Sequence, residues 1–160
     1  MGMVAYLRPV EEASIEGLAS YDDDQMAEFL FPEDESDWDL DLDKSWHAIH
    51  FLLCGSVDAE PSPLGSAVLG GAEIGPDLGY GPARWLSTEQ VRAIARELPD
   101  REELLGRYDA GELRVAEVYP QIWDEDDAEI KDYVGSNYDA MRAAFLEAAQ
   151  GAKAMLLWLA

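Results

Sequence analysis

The chain closes on seven consecutive apolar residues, Ala154 to Ala160, and this run constrains the fold more than any other feature. It is far shorter than the roughly 20 residues that cross a bilayer. It follows Gly151, a helix stop, so Ala152 to Ala160 reads as a strand buried in a sheet. A counterpart stands at the other end of the chain. Met3 to Val10 alternates two sets, Met3/Ala5/Leu7 and Val4/Tyr6/Arg8, as a strand with one buried face does. Pro9 is expected to stop it. Both terminal strands are expected in one sheet.

Helical signals fill most of the space between them. Ser14 is placed to cap a short helix carrying Ile15 and Leu18, and a second helix is expected from Asp22 to Phe31 on Met26, Phe29 and Leu30, closed by Pro32. Asp43 is placed to cap a helix through Leu53, in which Trp46, Ile49, His50 and Leu53 recur at i, i+3, i+4 and i+7 before Gly55. Residues 55 to 83 are rich in glycine and proline and read as irregular connection around the apolar patch Ala67-Val68-Leu69. Ser87 and Gln90 match a capping box for a helix through Leu98, with Val91, Ile94, Ala95 and Leu98 on one stripe. Pro99 ends it, Asp100 can cap the next, and helical turns continue to about Glu117, where Tyr119-Pro120 interrupts them. A last helix starts in the acids Asp124 to Asp127 and reaches Ala149, facing Met141, Ala144, Phe145 and Ala148 inward. The fold class is therefore α+β: a single compact domain over 1–160, with a mixed or mostly antiparallel sheet that includes the N- and C-terminal strands and is packed with several helices.

Charge narrows the partners. Thirty-four acidic residues stand against eleven basic ones, a formal charge of -23, and fourteen of the acids lie between Glu11 and Asp43, where there is no Lys or Arg. Such a surface repels phosphate backbones and anionic lipid, so neither nucleic acid nor membrane is an expected partner. The single cysteine, Cys54, forms no intramolecular disulfide, and the N-terminus lacks the pattern of a signal peptide; a cytoplasmic location is expected. Tyr6 stands where a myristoylation signal needs Ser or Thr. Within Glu33 to Asp43, acids alternate with Trp38, Leu40 and Leu42, as in an edge strand or a loop pinned by its apolar residues.

Motifs that carry chemistry are scarce. Asp37-Asp39-Asp41-Asp43 has the alternation of a calcium loop, but Leu42 replaces the required glycine and Ala48 the required glutamate. His47 and His50 are too few for a zinc site without a third histidine. His50 and Cys54 face the same way, yet the end of a helix disfavours a thiolate. No nucleophile elbow, phosphate loop or dinucleotide fingerprint is present, and no cofactor or metal is expected. Trp46, Trp85, Tyr119 and Trp123 are the aromatic candidates for lining a pocket.

Several of these residues fall in a familiar order. Trp46-x3-His50-Phe51-x3-Gly55, then Pro63-Leu64-x2-Ala67-x2-Gly70, then Tyr119-Pro120, then Gly151 before the closing apolar strand, together with Met1-Gly2-Met3, resemble the YfbM-like family along nearly the whole chain. The resemblance implies a compact bacterial α+β domain of unknown function, and it carries over no catalytic residue, substrate or cofactor. The acidic stretch Glu33 to Asp43 departs from the family pattern.

Two functional readings follow. The first is a non-catalytic binding or regulatory module whose acidic surface, including Asp37, Asp39 and Asp41, meets a basic protein. The second is a small-molecule enzyme with a pocket near His50 and Trp46, in which His50 is the acid or base and Glu117 or Tyr119 assists, with Trp123 as a further binding candidate. Against the second stands a structural role for His50, bonding a backbone carbonyl and organising the loop after Gly55.

Overall fold

The computed structural model describes residues 2–33 and 40–160. Five antiparallel strands form one sheet in the order β2-β1-β5-β4-β3: β1 Ala5–Val10, β2 Leu40–Asp41, β3 Ala72–Asp77, β4 Pro82–Leu86 and β5 Ala154–Leu159. The terminal strands pair along their whole length, from Ala5 opposite Leu159 to Val10 opposite Ala154. Central position explains the unbroken apolar run of β5. Met155 and Leu157 face the main core, while Ala154, Leu156 and Trp158 face a second one behind the sheet. A strand covered on both faces has no use for polar alternation.

Helices lie on both faces. The main core is covered by α3 (Trp46–Cys54), α4 (Pro63–Ser66), α5 (Thr88–Glu97), α6 (Arg101–Leu105), α7 (Ala110–Val115) and α8 (Asp127–Gln150). The back face carries a small lobe made of a 3-10 turn, α1 (Ile15–Leu18) and α2 (Asp23–Leu30), whose Ile15, Leu18, Met26 and Leu30 bury against Val10, Ile74, Ala83 and Trp158. Local chemistry sets the helix starts. Asp22 with Gln25 and Ser87 with Gln90 form reciprocal capping boxes, and Asp100, Asp109 and Asp126 accept first-turn N–H groups.

Four local expectations are corrected. Pro9 does not stop β1, which runs on to Val10 opposite Ala154: residues 4, 6, 8 and 10 turn their backbone groups toward β5, so the N–H that Pro9 lacks is not needed for that ladder. Ser14 does not cap α1; its hydroxyl donates to the Glu11 carbonyl instead. Asp43 does not cap α3 either, since a 3-10 turn over Asp43–Ser45 intervenes and the Asp43 carboxylate accepts the Tyr133 hydroxyl. Residues 55 to 83 are not wholly irregular: they contain α4, β3 and the start of β4, which continues to Leu86. Period-two alternation is lost in β3 because it is an edge strand with a register shift between Ile74 and Asp77. Of the alternating acidic segment, Leu40–Asp41 forms the short edge strand β2, while Asp34 to Asp39 lie outside the described residues.

Candidate functional site

The first place to look is the apolar stripe of α3, where Trp46, Ile49, His50 and Leu53 are all buried, His50 completely. Gly55, at φ 75, ends the helix in a left-handed turn and sends the chain back past both histidines. His50 Nε2 lies 2.7 Å from the Asp58 carbonyl oxygen and donates to it. This leaves Nδ1 as a bare acceptor, buried with no partner among the described residues. His47, one turn earlier, accepts the Tyr119 N–H at Nδ1 (2.9 Å) and donates from Nε2 to the Val57 carbonyl (3.0 Å), so its tautomer is fixed by its bonds.

Aromatic packing holds this arrangement. The Trp46 ring stacks on His47 and on Tyr119, at centroid distances of 4.8 and 5.9 Å. Its Nε1 donates to the Met3 carbonyl while the Tyr119 hydroxyl accepts the Met3 N–H, which pins the N-terminal segment. Trp123 is not in this group; it is buried and donates to the Val118 carbonyl. Trp85 is half-buried on β4 beside the second core.

Burial pushes both imidazoles below their ordinary value, against the opposing pull of the bonds to Val57 and Asp58. Cys54 Sγ sits 3.4 Å from His50 Nε2, but burial pushes its thiol up, and Sγ also donates to the His50 carbonyl at 3.3 Å. Neutral thiol beside neutral imidazole is the reverse of an activated thiolate pair. The structure thus joins Trp46, His47, His50 and Tyr119 into a packed, hydrogen-bonded unit and gives His50 a carbonyl to hold.

The second place is the back-face lobe. Setting aside Asp34, Glu35, Asp37 and Asp39, which lie outside the described residues, ten of the fourteen carboxylates between Glu11 and Asp43 are described, and every one is exposed, Asp41 included. Two hollows interrupt this acidic surface, the first of them mainly apolar. One, of about 440 Å³, is lined by Pro9, Val10, Glu11, Phe29, Pro32 and Lys153; another, of about 330 Å³, by Tyr21, Gln25, Glu28 and Phe29. Phe29 is the wall between them, and Phe31 beyond it is 47% exposed.

Arg8 fastens the lobe to the sheet, a role sequence reasoning missed. Its guanidinium lies over the rings of Phe29 (4.8 Å) and Trp158 (5.3 Å) and donates to the carbonyls of Phe29 and Leu30, the unsatisfied end of α2. The available signal was its isolation, as the one cation before Lys44. At the rim, Lys153 pairs with Glu11.

Residues 1–158 match the family described as Domain of unknown function (DUF1877). The chain belongs to this family. Among its relatives, Protein YfbM of Escherichia coli strain K12 is 30% identical over 128 residues, covering 76% of this chain and 75% of YfbM. The crystal structure of YfbM from Escherichia coli superposes with a TM-score of 0.74, covering 98% of this chain and 99% of that one at 22% identity. The expected YfbM-like α+β fold, with both terminal strands in the sheet, is therefore the fold of this DUF1877 member. No helix among the described residues is long and apolar enough to cross a membrane.

Proposed function

We propose that this chain is a non-catalytic binding module that presents its acidic back-face lobe to a basic protein partner. The observation that carries the reading is the exposure of all eight described carboxylates from Glu11 to Glu33, in a stretch without Lys or Arg. Like charges gathered this way cost stability through self-repulsion, and a cationic partner relieves that cost while being steered to the surface. The hollow between Pro9, Val10 and Phe29 adds a place where an apolar side chain of the partner loses contact with water. Catalysis at His50 has less support, since its Nε2 is occupied by the Asp58 carbonyl and its ring is buried.

The test begins with affinity capture from the native cell and identification of the partner by mass spectrometry. Binding kinetics then compare the chain with a triple variant, Asp23→Asn, Asp24→Asn and Glu28→Gln, whose positions are exposed and take no part in the Asp22–Gln25 capping box. Between about 0.05 and 0.5 M salt the Debye length shrinks from about 14 to about 4 Å. The on-rate should fall with salt by more than the off-rate rises, and the variant should show a slower on-rate at low salt. An on-rate indifferent to both changes would defeat the reading.

A further inference from the structure

The chain has two histidines, and both close onto adjacent carbonyls of one loop: His47 on Val57 and His50 on Asp58. His47 also holds the turn after α7, by accepting the Tyr119 N–H. We propose that His47 and His50 form a latch operated by protons, which keeps the 55–62 loop and the Tyr119 turn closed over α3 while both imidazoles are neutral and releases them when protonated.

The reason lies in what each ring nitrogen already does. Nδ1 of His47 serves as an acceptor; a proton placed there points at the Tyr119 N–H, donor against donor, and that bond must break. Nδ1 of His50 is buried without a partner among the described residues, so a proton placed there has no acceptor among them until the loop moves and admits water. Protonation therefore opposes the closed form at both sites, by a lost bond at one and an unsatisfied buried charge at the other.

The groups around the latch modify this balance without reversing it. On the loop, the Asp58 carboxylate draws protons toward both rings, and Glu60 stands near the Cys54 thiol. From β4, Arg84 opposes a charge on His50, as does His47 itself. At the far end of the helix, Arg107 donates to the carbonyls of Leu52 and Leu53. At its start, the Tyr133 hydroxyl of α8 accepts the Lys44 backbone N–H and donates to the Asp43 carboxylate. The segment Pro63–Ser66 of α4 contributes no titratable side chain. Burial outweighs the pull of Asp58, so the neutral forms persist below the ordinary imidazole range.

Proton linkage sets the size of the effect. Where the open form binds one more proton than the closed form, the open-to-closed ratio rises up to about tenfold for each pH unit lost, and up to about a hundredfold if both rings respond. The Tyr119 amide is the direct reporter, because it donates to His47 Nδ1. Its hydrogen exchange, measured by NMR on the whole chain from pH 7.5 to 5.0 and corrected for the pH dependence of the chemistry, should lose protection below about pH 6.5. The β1–β5 ladder amides should keep theirs over the same range. In His47→Asn the side-chain carbonyl can still accept the Tyr119 N–H but takes no proton, so protection of that amide should lose most of its pH dependence. Constant Tyr119 protection in the unaltered chain, its loss in step with the β1–β5 ladder, or an unchanged pH dependence in a folded His47→Asn variant would each overturn the latch. The measurement on the unaltered chain decides the question if the variant does not fold.

Discussion

Replacing Gly71 by Ala tests the placement of the β3–β4 hairpin on the sheet, because a side chain there has nowhere to go. Gly71 has φ +93, and a Cβ built on it would lie 2.6 Å from the Trp85 carbonyl oxygen and 3.0 Å from its carbon. Both are backbone atoms of the partner strand, which the Ala72–Trp85 and Glu73–Arg84 pairs fix in register. Nor is the Gly70–Gly71 backbone free to retreat, since Arg84 Nη1 donates to the carbonyls of Val68 and Gly70 at 3.2 and 2.8 Å. Two costs add. Holding an L-residue in this backbone region takes about 1 to 3 kcal/mol, and forcing the strands apart takes about 1 to 3 more. With a urea dependence of about 2 kcal/mol per molar, the unfolding midpoint should fall by about 1 to 3 M. Tryptophan fluorescence during urea titration reads this directly, with Trp85 at the perturbed site. Gly79→Ala is the internal control: its φ is +105 but nothing lies within 4 Å of the added carbon, so only the conformational cost applies. If Gly71→Ala is no more destabilising than Gly79→Ala, the close approach of the two strands is wrong.

Two further outcomes are expected. Leu53 is 4% exposed in the main core, so Leu53→Ala should cost about 2 to 5 kcal/mol in chemical denaturation, and a loss below about 0.5 would contradict the packing of α3. Both histidines are held below their unfolded value of 6.5, so the stability they contribute is complete above pH 6.5 and is lost as pH falls toward their folded values. Urea titrations at pH 7.5, 6.5 and 5.5 should show that loss, at no more than about 1.4 kcal/mol per pH unit for each histidine. Ordinary carboxylates take few protons in this window, so a flat or rising profile would show that the imidazoles are not held neutral by the fold.

Much of the architecture was legible before any coordinates. Some helix starts were, because a Ser or Asp at the cap satisfies N–H groups within three residues of itself, as Ser87 and Asp100 do, whereas Ser14 and Asp43 spend their side chains on other partners. So was the burial of Trp46, Ile49, His50 and Leu53, since a 3.6-residue period puts them on one face whatever that face meets. A bond from His50 to a backbone carbonyl was anticipated as its structural role, though not that the carbonyl belongs to Asp58. The β3–β4 hairpin stayed hidden, because an edge strand interrupted by Gly75 and Pro76 keeps no alternation to read.

The sequence by itself determined where the longer helices lie, where those capped by Asp22, Ser87 and Asp100 begin, that both chain ends are strands, and that negative charge is concentrated in one stretch. Only the tertiary structure decided that the two ends pair side by side, that the acidic segment from Glu12 to Leu30 folds as a lobe behind the sheet, and that Arg8 bonds the carbonyls ending α2. The division follows from the range of the forces involved. Caps and periodicity are settled within one or two turns of chain, whereas Ala5 meets Leu159 because the apolar faces of β5 must both be covered, and that requirement is met by residues from every part of the molecule.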